Sequence, residues 1–177
     1  MAEAETMRKE EKKKGGGILP AVCNILGTLI LFSVILLCIP VTLPKLFGYQ
    51  IYDVVSGSME PEISVDSVVY VKETLPEEIK EGDVAAFRSS GSVIIHRIVE
   101  KRIVEGQFIT KGDANTQVDI EKIPYDAMIG VVTFHIPFLG VVMTVLTSNV
   151  GKAYLICYAA SGAMFYMLAG RLKEERK

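Results

Sequence analysis

Two long apolar stretches bracket a middle region in which short apolar runs alternate with polar turns. No charged residue occurs between Lys14 and Lys45, and the core of that stretch runs from Ile25 to Ile39. A membrane-spanning helix needs roughly 20 apolar residues, so the pattern predicts a span over residues 18–44. A cleaved signal peptide fits less well, because the run is too long and no small-x-small site follows it. Pro40 and Pro44 are expected to end this helix at the outer interface, with Tyr49 and Tyr52 near the headgroups. A second uncharged run of 18 residues, Ala153 to Gly170, predicts a second span. Between the two, Phe138 to Val150 is apolar and is read, with the residues to 152, as an interfacial or linker helix. One tilted, kinked span over the whole region is the alternative.

From about Gln50 to Phe134, within an expected β-domain over residues 45–137, short β-rich runs alternate with turn signals. Candidate strands are Ile51–Val55, Ser67–Lys72, Asp83–Arg88, Val93–Lys101, Gln107–Lys111 and Met128–Phe134. Turn residues separate them at Glu81-Gly82-Asp83, Ser89-Ser90-Gly91, Glu105-Gly106 and Lys111-Gly112-Asp113. No segment here sustains a helical period. The expectation is a mainly β chain, a folded-over sheet or partly open barrel flanked by two transmembrane helices.

Composition sharpens this reading in three places. Mean hydropathy is +0.34, high for a soluble enzyme. Net charge is −2, too balanced to suggest nucleic acid as a partner. The three cysteines lie in apolar stretches without metal-site spacing and read as small apolar fillers. Residues 1–17 are polar and glycine-ended, as in a disordered tail, and basic residues also follow the second span in the short tail 171–177. The positive-inside rule then puts both termini in the cytoplasm and the β-domain outside it. Ser58 follows Pro44 by 14 residues. That chain reaches at most about 45 Å when fully extended, so the turn at Ser58 is expected close to the outer membrane surface.

Candidate chemistry centres on Ser56-Gly57-Ser58-Met59-Glu60-Pro61. Glycine and proline there predict a rigid turn that presents a hydroxyl. The chain has only two histidines, and His96 sits 38 residues beyond Ser58 in the apolar run Val93–Val99. Strand alternation gives it the face of Ile94 and Ile98, with Ile95 and Arg97 opposite. Asp113 and Asp119 follow. A serine hydroxyl needs a base, and an imidazolium needs a carboxylate, so serine, histidine and aspartate are the parts of an acyl-transfer site. A lone histidine on an apolar strand is, in general, more often structural. Asp113 could equally be a turn residue, and Asp119 a solvated loop carboxylate.

These motifs resemble those of the type I signal peptidases. Ser56–Pro61 is similar to the family's nucleophile motif. Ile95-His96-Arg97-Ile98-Val99 resembles the second motif in the branch shared by the endoplasmic-reticulum enzyme, archaea and some Gram-positive bacteria, where histidine replaces a lysine base. Thr110–Asn115 with Asp119 resembles the third motif, although Ala114 intrudes between Asp113 and Asn115. Ile129–Val132 and Ile136–Gly140 match its closing strand and exit to the membrane. The resemblance implies a membrane-bound serine endopeptidase without cofactor or metal that removes signal peptides after small residues at −3 and −1. It implies Ser58 as nucleophile and His96 as base, with the Ser58 N–H and the Ser56 hydroxyl as oxyanion donors. Asp119 is favoured as the partner of His96, and Asp113 is expected to shape the site by hydrogen bonds.

The implied partners are signal-peptide-bearing precursors and the lipid bilayer, with secretion-machinery or peptidase-complex subunits as further candidates. The implied location is the plasma membrane or the endoplasmic reticulum. An extended peptide can add itself to a sheet edge, and Asp53-Val54-Val55 is the candidate edge. Val54 and Ile94 are expected to line small pockets beside it. Two other readings compete: a catalytically silent peptide-docking subunit of a membrane complex, and a self-cleaving repressor of the SOS type. The latter uses lysine and a DNA-binding domain, neither of which matches here.

Overall fold

The computed structural model describes residues 18–174, so the expected tail over residues 1–17 and the last three residues lie outside the described residues. Two compact units form, one from the residues up to Ile39 and from Asn149 onward, the other from Pro40 to Ser148.

Helix α1 covers Ile18–Leu46 and runs through both prolines, two residues beyond the expected end. The reason lies in the freed backbone groups. Pro44 has no N–H to give the carbonyl of Pro40 one turn earlier. That carbonyl instead accepts a hydrogen bond from the Tyr70 hydroxyl at 2.9 Å. A helix interrupted by proline persists where another group takes over the lost bond. Gly48, at φ +79°, then turns the chain out of the helix.

Seven strands follow: β1 (Tyr49–Asp53), β2 (Val68–Glu73), β3 (Val84–Ser89), β4 (Ser92–Arg102), β5 (Gln107–Lys111), β6 (Ile123–Pro124) and β7 (Met128–Ile136). They make one sheet in the order β1-β2-β7-β3-β4-β5-β6. All the pairings are antiparallel. The mainly β expectation holds, and the sheet does not close: β1 and β6 remain its edges. The first strand starts two residues earlier than expected, and β6 is too short to read from a pattern. The β3–β4 hairpin turns at Ser90 and Gly91, both at positive φ, which matches the right-handed twist of its strands.

Side-chain alternation fills two apolar clusters. Val54, Met59, Ile63, Val69, Val71, Ala86 and Ile129 form one. Ile79, Ala85, Phe87, Ile98, Phe108 and Ile123 form the other. Neighbouring residues of β3, Ala86 and Phe87, thus go to different clusters, as period two requires. Strand β7 lies between β2 and β3, and Gly130 is its point of closest approach: a Cβ there would overlap the carbonyl of Lys72.

After β7 come helices α2 (Leu139–Thr147) and α3 (Asn149–Glu174), separated by Ser148 in extended conformation. Helices α1 and α3 are each long and apolar enough to cross a membrane. They pack on each other through glycine. A Cβ on Gly27 would lie 2.8 Å from the carbonyl oxygen of Gly162, and one on Gly162 would lie 2.7 Å from Ile30. Of the small residues in α3, Gly162 makes this close approach, whereas Gly170 meets nothing within 4 Å.

The Gly130→Ala protein is expected to lose about 3 kcal/mol of β-domain stability, because the backbone of Lys72 and Glu73 in β2 blocks the new methyl. Urea unfolding followed by the near-ultraviolet tyrosine signal measures this, and an unshifted midpoint would refute it.

Candidate active site

Ser58 lies in a single 3-10 turn, Gly57–Met59, between β1 and β2. Met59, 1% exposed, drives the turn into the first apolar cluster. The main chain is held from both sides: Glu60 N–H donates to Gly57 O, Ile63 N–H to Met59 O, and Ala114 N–H to Ser58 O at 2.9 Å. Ser58 itself stays half-buried. The Ser56 and Ser58 hydroxyl oxygens are 3.4 Å apart on the exposed side of the turn.

His96 sits in β4 opposite Ala85 and is buried. It shares the face of Ile94 and Ile98, and its ring meets Phe87 edge-on at 6.4 Å. Its Nδ1 lies 2.6 Å from Asp119 Oδ2. An ionised carboxylate only accepts hydrogen bonds, so Nδ1 carries the proton and Nε2 keeps a lone pair in the neutral ring. That lone pair belongs to the atom that faces the serine turn. A Cβ built on Gly112 would lie 3.1 Å from His96 Nε2 and 2.6 Å from Ser58 O. The absent side chain of Gly112 thus marks a point that both groups flank.

Asp119 is fixed to β5. Its N–H donates to Thr110 O at 2.9 Å, and its Oδ2 accepts from Thr110 Oγ1 at 2.7 Å. Asp113 is placed elsewhere. It receives Arg97 in a two-pronged pair, Nε to Oδ1 at 2.8 Å and Nη2 to Oδ2 at 2.6 Å, while Arg97 Nη1 donates to Gly82 O. The hydrogen bonding of Arg97 to Asp113 raises the Arg97 pKa above its ordinary value, against burial, which acts the other way. Lys101 donates to the carbonyls of Glu77 and Ile79, tying down the loop before β3.

The proposed substrate edge divides. Strand β1 is an edge of the sheet, Asp53 pairs with Val68, and Val55 is 82% exposed. Val54, however, is a core residue, 7% exposed, and its N–H and carbonyl are taken by Ser67 and Asp66. Val54 and Ile94 do not line one pocket, which corrects the expectation. Alternation along β4 sends Ile95 to the cluster of Val54 and Ile94 to that of Phe87. A cavity of about 400 Å³ lined by Glu73, Leu75, Glu77, Tyr125, Asp126 and Met128 contains none of the candidate residues. Among the described residues, no group of three or more His, Cys, Asp or Glu side chains is arranged to hold a metal ion.

Three contributors escape a sequence reading: Gly112 as the spacer, Thr110 as a tether and Arg97 as the partner of Asp113. All three stand within the motifs quoted above, but only Arg97 had a signal for its role, a basic residue next to the histidine with an acid in the following turn.

No protein-family model matches the chain. Over 109 aligned residues it is 38% identical to signal peptidase I W of Bacillus subtilis (strain 168), an alignment covering 55% of this chain and 57% of that protein. The chain therefore spans little more than half the length of the curated relative it matches. That similarity agrees with the three motifs and their order.

Proposed function

We propose that the protein is a membrane-bound serine endopeptidase that removes N-terminal signal peptides from secretory precursors. One observation carries this reading most directly: His96 gives Nδ1 to Asp119 and turns Nε2 toward the point it shares with the Ser58 turn. Similarity to a signal peptidase I supports the substrate class.

In this mechanism Nε2 of His96 takes the Ser58 proton as Oγ attacks the carbonyl of the scissile peptide. The positive charge that develops on the ring is balanced by Asp119. The Ser58 N–H and the Ser56 hydroxyl stabilise the oxyanion. The protonated ring then delivers its proton to the departing amine, and water, activated by the same nitrogen, releases the acyl group from Ser58. Asp113 acts on the site by holding Arg97 and the turn that carries Ala114.

An extended substrate would lie along β1. Because Val54 spends its backbone groups inward, those of Asp53 and Val55 point to the open side, where a peptide strand can add. The basic residues at the polar ends of both apolar segments support cytoplasmic termini and an extracytoplasmic β-domain. A signal peptide leaves its apolar segment at that surface, so membrane placement would bring the scissile bond to Ser58.

Ser58→Ala and His96→Ala are each expected to abolish precursor cleavage by the full chain in detergent while both proteins stay folded. Asp119→Asn should lower kcat by at least about 10²-fold. N-terminal sequencing of the product identifies the bond cut, and full activity in either alanine variant would disprove the assignment. Gly112→Ala should cost about 10²-fold in kcat, since its methyl must push the Ser58 carbonyl or His96 aside. Wild-type kinetics for that protein would show that the two groups do not work at this spacing.

A further inference from the structure

We propose that Thr110 is a positioning residue for the base, holding the Asp119 carboxylate through its hydroxyl in the orientation that fixes the His96 ring. The inference rests on the reading of Ser58 and His96 as nucleophile and base.

Thr110 occupies an inward position of β5, two residues after Phe108, and both are 0% exposed. Phe108 belongs to an apolar cluster, so a residue on the same side is expected to be apolar too. Valine has the same shape and would fill the place without a polar atom. A buried hydroxyl costs stability unless it is hydrogen-bonded. Here it is spent on Asp119 Oδ2, at 2.7 Å.

That oxygen is the one that His96 Nδ1 reaches at 2.6 Å. Two donors therefore converge on one acceptor atom, and both must donate because the carboxylate accepts only. Asp119 lies outside the regular elements, in the stretch between β5 and β6. Its backbone is tied to Thr110 by the bond from its N–H to Thr110 O. The backbone bond fixes where the residue starts, and the hydroxyl fixes where its carboxylate ends. A threonine on a strand is stiff about χ1, so the hydroxyl forms a rigid stop rather than a mobile contact. Without it the carboxylate could rotate about its own side-chain bonds, and the imidazole would lose the constraint that aims Nε2.

The test compares Thr110→Val, which keeps the shape, with Thr110→Ser, which keeps the hydroxyl, in the full chain in detergent. Thr110→Val is expected to lower kcat about 10- to 100-fold with KM unchanged, and Thr110→Ser to restore most of it. A His135→Gln background leaves His96 as the one histidine, so ¹⁵N-histidine labelling reports its Nδ1 proton directly. That resonance should be sharp and far downfield in the parent and the serine variant, and broadened or shifted in the valine variant. A folded valine variant with parental kcat and resonance overturns the proposal, as does a serine variant as poor as valine. A valine variant that no longer folds also overturns it, since the hydroxyl would then serve the fold. Failure of the wild type to cleave any precursor would instead defeat the peptidase reading, while the resonance would still judge the clamp.

Discussion

The short hydrogen bond between His96 and Asp119 is the constraint on which the site depends. It joins a central strand to a stretch with no regular structure, across 23 residues of sequence. Charge-assisted bonds of this length are roughly twice as strong as neutral ones. This one also sets the tautomer, leaving the lone pair on Nε2, the nitrogen beside Gly112. The irregular stretch stays in place because it is tied at several points. Asp113 holds Arg97, Asp119 holds Thr110, and the Ser89 hydroxyl donates to Glu121 at 2.6 Å. Ser89 ends β3 and Thr110 lies in β5, so the acid is braced from both sides of β4.

The sheet supplies the frame for this bracing. Its order brings the last strand between β2 and β3, which joins the half carrying the serine turn to the half carrying the histidine. Closest approach there requires a residue without a side chain, Gly130. The two apolar clusters then serve different purposes. One anchors Met59 and thereby the backbone of Ser58; the other packs Ile98 and Phe87 around the base of His96. Anchoring each partner in its own cluster keeps both backbones rigid. Between them lies the point at Gly112 that Ser58 O and His96 Nε2 both approach.

Much of this was legible from pattern alone. Period two exposed six of the seven strands, and the fifth was read with its exact ends, because Gly106 and Gly112 bound it. The helix over Ile18–Leu46 was legible, but not its passage through Pro40 and Pro44. That depends on Tyr70, 30 residues away, donating to a carbonyl that no local rule would satisfy. Burial raises the Tyr70 pKa above its ordinary value. The pocket assignment failed for a different reason. Alternation states that Ile94 and Ile95 face opposite ways, but not which of them meets Val54. Gly112 and Thr110 were invisible as site residues, since a missing side chain and a buried hydroxyl carry meaning only once the serine turn and Asp119 lie against them.

The choice between Asp113 and Asp119 illustrates how a strand can sort two like charges. Both carboxylates come from the same stretch between β5 and β6, and either could have met a cation on β4. Adjacent residues of a strand point to opposite faces, so His96 and Arg97 offer their groups on opposite sides of β4. The guanidinium is permanently charged and matches a carboxylate with two parallel donors. It therefore retains Asp113, which is not available to the imidazole. His96 is left with Asp119, whose oxygen is already presented by Thr110. Had the arginine been displaced by one residue, it would have shared a face with the imidazole, and the two carboxylates would have repelled each other there. The register of one strand thus gives His96 a single acidic partner and keeps the second carboxylate paired with Arg97, away from it.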